Sequence, residues 1–260
     1  MAKNSGVGRR RFLTRLVGGA GLLTLGGCDR LSESPWFTRI LTGVDPLTRA
    51  AQRFVTDGRL AREYTKADIS AHFRSNGTHD PNNPTYQALA KNHFVDWRLE
   101  IGGLVEQPRK WSLAELRALP SRTQITRHDC VEGWSCIGEW TGVPLGIVLN
   151  KAVPKPAARY VVFYSADPMD TNLDGTVDKY YESIALADAY RPQTILAYAM
   201  NGETLKIPYG APLRLRDPRQ LGYKMAKYLM RIELVDSFAH IGGGKGGYWE
   251  DQGYEWYAGI

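Results

Sequence analysis

The chain has 260 residues, 43% hydrophobic and 23% charged, enough to bury a sizeable core in one large domain or two small ones. A net charge of +6 raises nucleic-acid binding as a class, but no Lys/Arg stripe with interleaved aromatics is present. Arg9 to Arg11 and scattered basic residues supply much of the excess, which an anionic ligand or a membrane surface explains as well.

Residues 1–28 are set aside as a targeting segment. Arg9, Arg10, Phe12 and Leu13 precede an apolar run from Leu16 to Leu25 that is too short and Gly-rich to span a bilayer as a helix. The ordered Arg-Arg-x-Phe-Leu is similar to a twin-arginine export signal. "LGGC", Leu25 to Cys28, resembles a lipoprotein processing site, which implies a lipid anchor at Cys28; simple cleavage nearby is the competing expectation. Both imply a periplasmic protein in a compartment that permits disulfides.

Residues 29–92 are expected to form a linker and an N-terminal peripheral segment, with residues 93–260 as the main domain. Apolar spacing near 3.6 predicts a helix within 46–64, and the Asn, Gly and Pro of "SNGTHDPNNPTY" predict a loop within 66–93. "FVDWRLEIGGLV" alternates as a strand ending in a Gly-Gly turn, and "SLAELRALP" reads as a short Ser-capped helix stopped by Pro120. Further on, "PLGIVLNKAV" and "SIALADAY" read as helices and "ARYVVFYSA" as a buried strand. "TILAYAMNGETL" predicts a strand entering an Asn-Gly hairpin turn, and "APLRLRDP" and "YLMRIELVD" are further strands. Strands and helices mix without a βαβ rhythm, which predicts an α+β fold with a mixed sheet.

Two look-alike motifs carry no site. Gly242, Gly244 and Gly247 satisfy G-x-G-x-x-G but open no helix, so a flexible loop is expected instead of a nucleotide fingerprint. Asp170, Asn172, Asp174, Gly175 and Asp178 follow a calcium-loop spacing, but its closing position holds Tyr181 where a Glu belongs. The expectation there is a hydrated surface loop.

The stretch "RHDCVEGWSCIGEWTGVPL", residues 127–145, holds Cys130 and Cys136. A disulfide between them is sterically possible but closes a very small loop. Zinc needs four ligands, and His128, Cys130 and Cys136 follow no finger or ribbon spacing. A plain buried thiol is the commonest fate of a residue such as Cys136. Cys130 follows Arg127, His128 and Asp129, a polar approach whose cations are expected to favour a thiolate.

"RHDCVEGWS" followed by "WTGVPL" resembles the sulfite oxidase family, and most closely its bacterial periplasmic branch containing the protein-methionine-sulfoxide reductase catalytic subunit. The likeness continues through "YVVFYS", "RPQTILAYAMNG", "GAPLRL" and "GYKMAKYLMRIEL", from about Val95 to Val235. It implies a sulfite oxidase-like molybdopterin-binding domain and a Mo-molybdopterin cofactor, with Cys130 as the thiolate ligand to molybdenum cycling between VI and IV. A soft thiolate suits a metal already held by dithiolene sulfurs. The resemblance carries Arg214 and Lys227 onto positions that grip the cofactor, joined by the backbone amides of Met225 and Ala226 and the hydroxyl of Ser165.

Tyr209 stands where relatives have His or Asn before "GAP", and His72 lies in a segment, "AHFRSNG", matching one that binds the pterin. Tyr181 or Glu182 is expected to face substrate. The resemblance implies two-electron oxygen-atom transfer on a small or protein-bound S- or N-oxide. The Arg-rich substrate pocket of true sulfite oxidases is not matched after Cys130, which argues against the alternative of a sulfite dehydrogenase. No haem-binding C-x-x-C-H is present, so electrons are expected to pass through a separate membrane b-type cytochrome or a cytochrome c. A cofactor-free binding lipoprotein and a disulfide-stabilised hydrolase are the rival classes.

Overall fold

The computed structural model describes residues 59–260 apart from Asn172, together with Ser34 and Trp36. The export segment, Cys28 and most of the helix expected within 46–64 lie outside the described residues. In chain order the elements are Pro84–Lys91 (α1), Arg98–Gly103 (β1), Arg109–Ser112 (β2), Leu113–Ala118 (α2), Arg122–Cys130 (β3), Trp134–Pro144 (β4) and Leu145–Ala152 (α3). They continue with Tyr160–Thr171 (β5), Val177–Ala185 (β6), Leu186–Ala189 (α4), Ile195–Met200 (β7), Glu203–Thr204 (β8), Arg214–Arg216 (β9), Leu229–Val235 (β10) and Tyr248–Asp251 (α5).

One five-stranded sheet has the order β2-β1-β10-β5-β6 and is mixed, because β1 and β10 run parallel with Glu100 opposite Arg231 while the other pairs are antiparallel. The second joins β3-β4-β7-β8, with β9 also pairing β7. Leu99, Ile232, Phe163 and Val161 from the first sheet and Val143, Leu196 and Leu215 from the second share one buried core with α3, which contributes Leu145, Val148 and Leu149. The α+β fold with a mixed sheet is therefore the fold observed. Burying these side chains stabilises the fold by about 1.5–3 kcal/mol each.

Local chemistry fixes the connections. Ser112 and Glu115 cap α2 reciprocally: the Ser112 hydroxyl accepts from Glu115 N–H at 3.2 Å, and the Glu115 carboxylate accepts from Ser112 N–H at 2.7 Å. Asn201 and Gly202 turn between β7 and β8 at φ of 51° and 78°, as an Asn-Gly hairpin requires. At the bulge in β4, a Cβ on Gly142 would lie 2.2 Å from the Leu196 carbonyl, so β7 approaches only over a glycine.

Three expectations change. Within the expected loop, Asn83 caps α1 by accepting from Tyr86 N–H at 3.2 Å with Pro84 in the first turn, so residues 84–91 are helical. Residues 59–64, expected as the end of a helix, are not helical; Glu63 bridges Thr126 and Tyr64 N–H donates to the Ile125 carbonyl. The compact body thus begins at Arg59, and Phe73 packs in a second core cluster with Cys136 and Trp140. Finally, "SIALADAY" enters as the end of β6 and gives only one helical turn.

The expected flexible glycine loop is pinned. Gly243 N–H and Lys245 N–H donate to the Asp251 carboxylate at 2.7 and 3.0 Å, and the Ser183 hydroxyl donates to the Gly246 carbonyl. Beneath it, fully buried Lys224 pairs with Glu182 of β6 at 2.5 Å and with Glu250 of α5. Burial, and then the neighbouring Glu250, pushes Glu182 well above the usual carboxylate range, while Lys224 pulls the other way. A protonated Glu182 leaves the cluster near neutrality. Replacing Lys224 by Met strands both carboxyls, so urea unfolding should show a loss of about 3–5 kcal/mol. Lys110→Met, which breaks an exposed pair with Glu100, should cost less than about 1 kcal/mol.

Candidate functional site

β3 presents Gln124, Thr126 and His128 on its buried face, and strand alternation places Cys130 next on that face, half-buried at the turn into β4. Gly133 closes this turn at φ 82°, donating its N–H to the Cys130 carbonyl at 3.1 Å. Cys130 opens onto a cavity of about 210 Å3. Asn76, Gly77 and Thr78 line it on the N-terminal side; Gly222, Met225 and Lys227 follow from the loop after β9. Met169, Tyr180, Tyr223, Trp249 and Tyr254 make up an aromatic and thioether part of the wall, and Glu132 and Asp167 bring carboxyls.

Burial pushes the Cys130 thiol up, against the Glu132 backbone N–H, which pulls it down. Arg74 also draws the thiol down, but the expected cations next to it in sequence, Arg127 and His128, do not. Arg127 points outward into an ion pair with Asp129 at 2.8 Å, and His128 is buried and held neutral by desolvation and then by Arg216. Cys130 is thus a protonated, soft donor that metal coordination would convert to a thiolate.

Cys136 is separate. It faces inward on β4 opposite His128, while Cys130 pairs in register with Trp134, and both thiols are free. The Cys136 thiol sits 3.8 Å from the His72 carbonyl. No disulfide joins them.

Behind the cavity lies a buried cationic group. Arg214 and Arg216, on the same face of β9, stack on Trp140 with guanidinium carbons 5.0 and 4.5 Å from the ring centroid. Arg214 donates to the carbonyls of Tyr209 at 2.9 Å and Met225 at 3.3 Å. Arg216 donates to His128 Nδ1 at 2.7 Å, and since a guanidinium only donates, the His128 proton resides on Nε2. Gly222 backs this ring so closely that a Cβ there would lie 2.6 Å from Nε2. Lys227 Nζ donates to the carbonyls of Asn76, Thr78 and Pro208, at 2.7 Å for Asn76 and 3.1 Å for Pro208.

Among the described residues, none of these three cations has a carboxylate within ion-pair distance. Burial depresses Arg214 to about 10 and, with Arg214 as second cause, Lys227 to about 7 and Arg216 well below its usual range. Nε of both arginines and Nε2 of His128 are buried without a partner. Unpaired buried cations and orphaned donors are costly in isolation and call for an anion. The residues present therefore fit a molybdenum pyranopterin: Cys130 would hold the metal, and Arg214 and Lys227 the phosphate.

The structure brings Cys130, Met225 and Lys227 to one cavity, with Arg214 and Ala226 buried beside Met225, while Tyr209 lines the separate pocket of His72 and gives only its carbonyl to Arg214. Met225 does not offer its amide, which donates to the Gly222 carbonyl at 3.1 Å; its carbonyl and sulfur accept from the two arginines instead. Ala226 gives its carbonyl to Leu215 N–H at 2.9 Å, and the Tyr209 hydroxyl donates to the Phe73 carbonyl at 2.9 Å. Ser165 lies elsewhere, in a cavity of about 330 Å3 with Tyr86, Tyr164 and Arg231. His72 is exposed in a separate pocket of about 190 Å3, and it is Asn76 to Thr78 of its segment that reach the Cys130 cavity.

Tyr181 is a strut, with its hydroxyl donating to the Ile241 carbonyl at 3.1 Å and to the Asp251 carboxylate; strand alternation turns its neighbour Tyr180 to the cavity. Glu182 is buried against Lys224 instead of facing substrate. In the calcium-like spacing Asn172 lies outside the described residues, and two of the other positions have partners within the chain. Asp174 accepts from Thr176 N–H at 2.9 Å, Asp170 accepts from Tyr248, and no metal-binding cluster of His, Cys, Asp or Glu occurs among the described residues. Sequence reasoning missed Arg216, Trp249 and Tyr254 and took His128 for a cation beside Cys130; of the three missed, only Arg216 left a signal, the period-two repeat of "RLR" on a buried strand.

A free cysteine at a cavity, buried cations without carboxylate partners and a mixed α+β frame fit a molybdopterin-binding oxidoreductase. Residues 86–240 match the oxidoreductase molybdopterin binding domain, and the chain belongs to this sulfite oxidase-like family of molybdenum enzymes. It is 36% identical over 252 residues to the putative protein-methionine-sulfoxide reductase subunit YedZ1 of Azospira oryzae, covering 96% of this chain and 87% of that protein. It is 33% identical over 237 residues to the protein-methionine-sulfoxide reductase catalytic subunit MsrP of Xanthomonas axonopodis pv. citri, covering 87% of this chain and 70% of that protein. The crystal structure of the sulfane dehydrogenase SoxCD from Paracoccus pantotrophus aligns over 55% of this chain and 39% of that chain, at 25% identity and a TM-score of 0.48.

The depressed Lys227 has a measurable consequence in cofactor-free protein. The unfolded chain holds this proton up to the usual lysine value, while the folded chain releases it near 7, so stability rises with pH above 7. Between pH 7 and 9 urea unfolding should show wild type gaining about 2 kcal/mol relative to Lys227→Met.

Proposed function

We propose that this molybdenum enzyme is an exported sulfoxide reductase acting on methionine sulfoxide, free or within proteins, and fed electrons by a separate membrane b-type cytochrome or cytochrome c. The names of its relatives support the substrate. The observation that carries the reading is the cavity beside Cys130, whose wall holds Met169, Tyr180, Tyr223, Trp249 and Tyr254 and, among the described residues, no arginine. Sulfite is a dianion that needs cationic partners. Here Lys227, the one cation of the described lining, is assigned to the cofactor phosphate, and Glu132 and Asp167 bring carboxyls that disfavour an anion, which supports a neutral sulfoxide over sulfite.

The bound cofactor supplies the two-electron oxygen-atom-transfer chemistry. In balance, the S–O bond breaks, two electrons arrive from the external donor, and two protons convert the departing oxygen to water. The chain's own part is to seat the sulfoxide in an apolar wall, limit water there, and bring a proton through the Glu132 carboxyl, which faces the cavity and accepts from Trp134 Nε1 at 2.8 Å. Arg9, Arg10 and the Leu25 to Cys28 stretch support export of the folded holoenzyme to the periplasm with a lipid at Cys28.

With reduced viologen as donor, purified holoenzyme should reduce a peptide methionine sulfoxide and fail to oxidise sulfite with an artificial acceptor. Cys130→Ser should abolish turnover and remove the thiolate-to-metal absorption. Sulfite oxidation as fast as sulfoxide reduction would overturn the reading.

A further inference from the structure

Residues 241–260 lie beyond the matched family segment, yet they supply Trp249 and Tyr254 to the Cys130 cavity. We propose that this C-terminal strap is the specificity wall of the site, and that Trp249 and Tyr254, with Tyr223 and Met169, seat the S-methyl and methylene arm of a methionine sulfoxide side chain. The inference rests on the sulfoxide reductase reading above and adds the residues that choose among sulfoxides.

The wall is apolar by construction. Tyr223 gives its hydroxyl to the Glu255 carbonyl at 2.6 Å, and Tyr180 gives its own to the Tyr223 carbonyl, so these rings offer faces and edges to the cavity and keep their donors elsewhere. Trp249 stacks on Tyr254 at 5.4 Å and 28°, and Tyr223 meets Tyr254 edge-on at 5.3 Å and 86°. Sulfur and methyl groups pack favourably on such aromatic surfaces.

The wall is also fixed rather than a lid. Lys224 ties Glu250 to Glu182, Tyr181 ties Asp251 and Ile241, and Trp256 Nε1 donates to the Ser183 hydroxyl at 2.8 Å. At the mouth Tyr254 and Val131 remain 42% and 44% exposed, an apolar rim over which a polypeptide carrying the oxidised side chain can lie.

The test compares wild type, Trp249→Ala, Trp249→Phe and Tyr254→Ala holoenzymes on a methionine sulfoxide peptide and on dimethyl sulfoxide, with molybdenum content and the Mo(V) resonance as controls. For the peptide, Trp249→Ala should raise KM about tenfold with kcat within about twofold, and Trp249→Phe should restore most of it. Dimethyl sulfoxide, lacking the methylene arm, should shift by less than about threefold. Tyr254→Ala, at the exposed rim, should move in the same direction with its molybdenum unchanged. Unaltered KM values in both alanine variants, or losses that merely track molybdenum content, would overturn the proposal. A wild type inert toward every sulfoxide would instead overturn the reading beneath it.

Discussion

The structure turns on three desolvated cations that the chain leaves without an anion. Arg214 and Arg216 share the indole of Trp140, and their hydrogen-bond partners are neutral carbonyls, the Thr126 hydroxyl, a thioether and an imidazole nitrogen. Lys227 is satisfied only by carbonyls. Neutral acceptors orient a cation but do not cancel its charge, so desolvation depresses all three. A bound phosphate would cancel that cost, which links cofactor binding to stability. It gives a physical reason for the proposed order of events, in which the protein loads its cofactor before export.

The same chain solves the buried-cation problem a second way a few residues earlier. Lys224 is as buried as Arg214, but it faces two carboxyls of the chain's own, one of them protonated, and needs nothing from outside. The contrast separates a ligand site from a structural clasp without appeal to family. Where the charge is closed internally, the group fastens β6 to α5; where it is open, it waits for an anion. Lys224 and Lys227 sit on one loop, from Gly222 to Lys227, so the clasp to α5 and one member of the group that would hold the cofactor are fixed by the same backbone.

Legibility in the sequence followed where side-chain pattern and burial agree. The alternation of β1 and the apolar run of β5 announced strands, the missing βαβ rhythm announced the mixed sheet, and the Asn201-Gly202 turn was readable from two residues. β3 and β4 carry the site and gave a weaker signal, because β3 turns Gln124, Thr126 and His128 inward and β4 breaks its buried row of Cys136 and Trp140 with Gly138 and Gly142. A strand whose buried face is polar reads as loop until the ligand it serves is known. α1 was hidden by its own cap, since Asn83 and Pro84 signal a turn as readily as a helix start.

The misplacement of Tyr181 has a simple physical root, the period of two along a strand. Tyr181 and Tyr180 are indistinguishable in composition, and only the phase of β6 decides that one braces the glycine loop while the other faces the cavity. Ser165 belongs to another cavity from Cys130, although β5 runs on to Asp167 and Met169, which do line it. Cys130 and Cys136 obey the same rule to a different end. Antiparallel register sets Cys136 opposite His128 and Cys130 opposite Trp134, which separates the thiols along the hairpin. One is left at the cavity mouth with its proton held by burial, ready to exchange that proton for a metal, and the other is absorbed into the packing around Trp140.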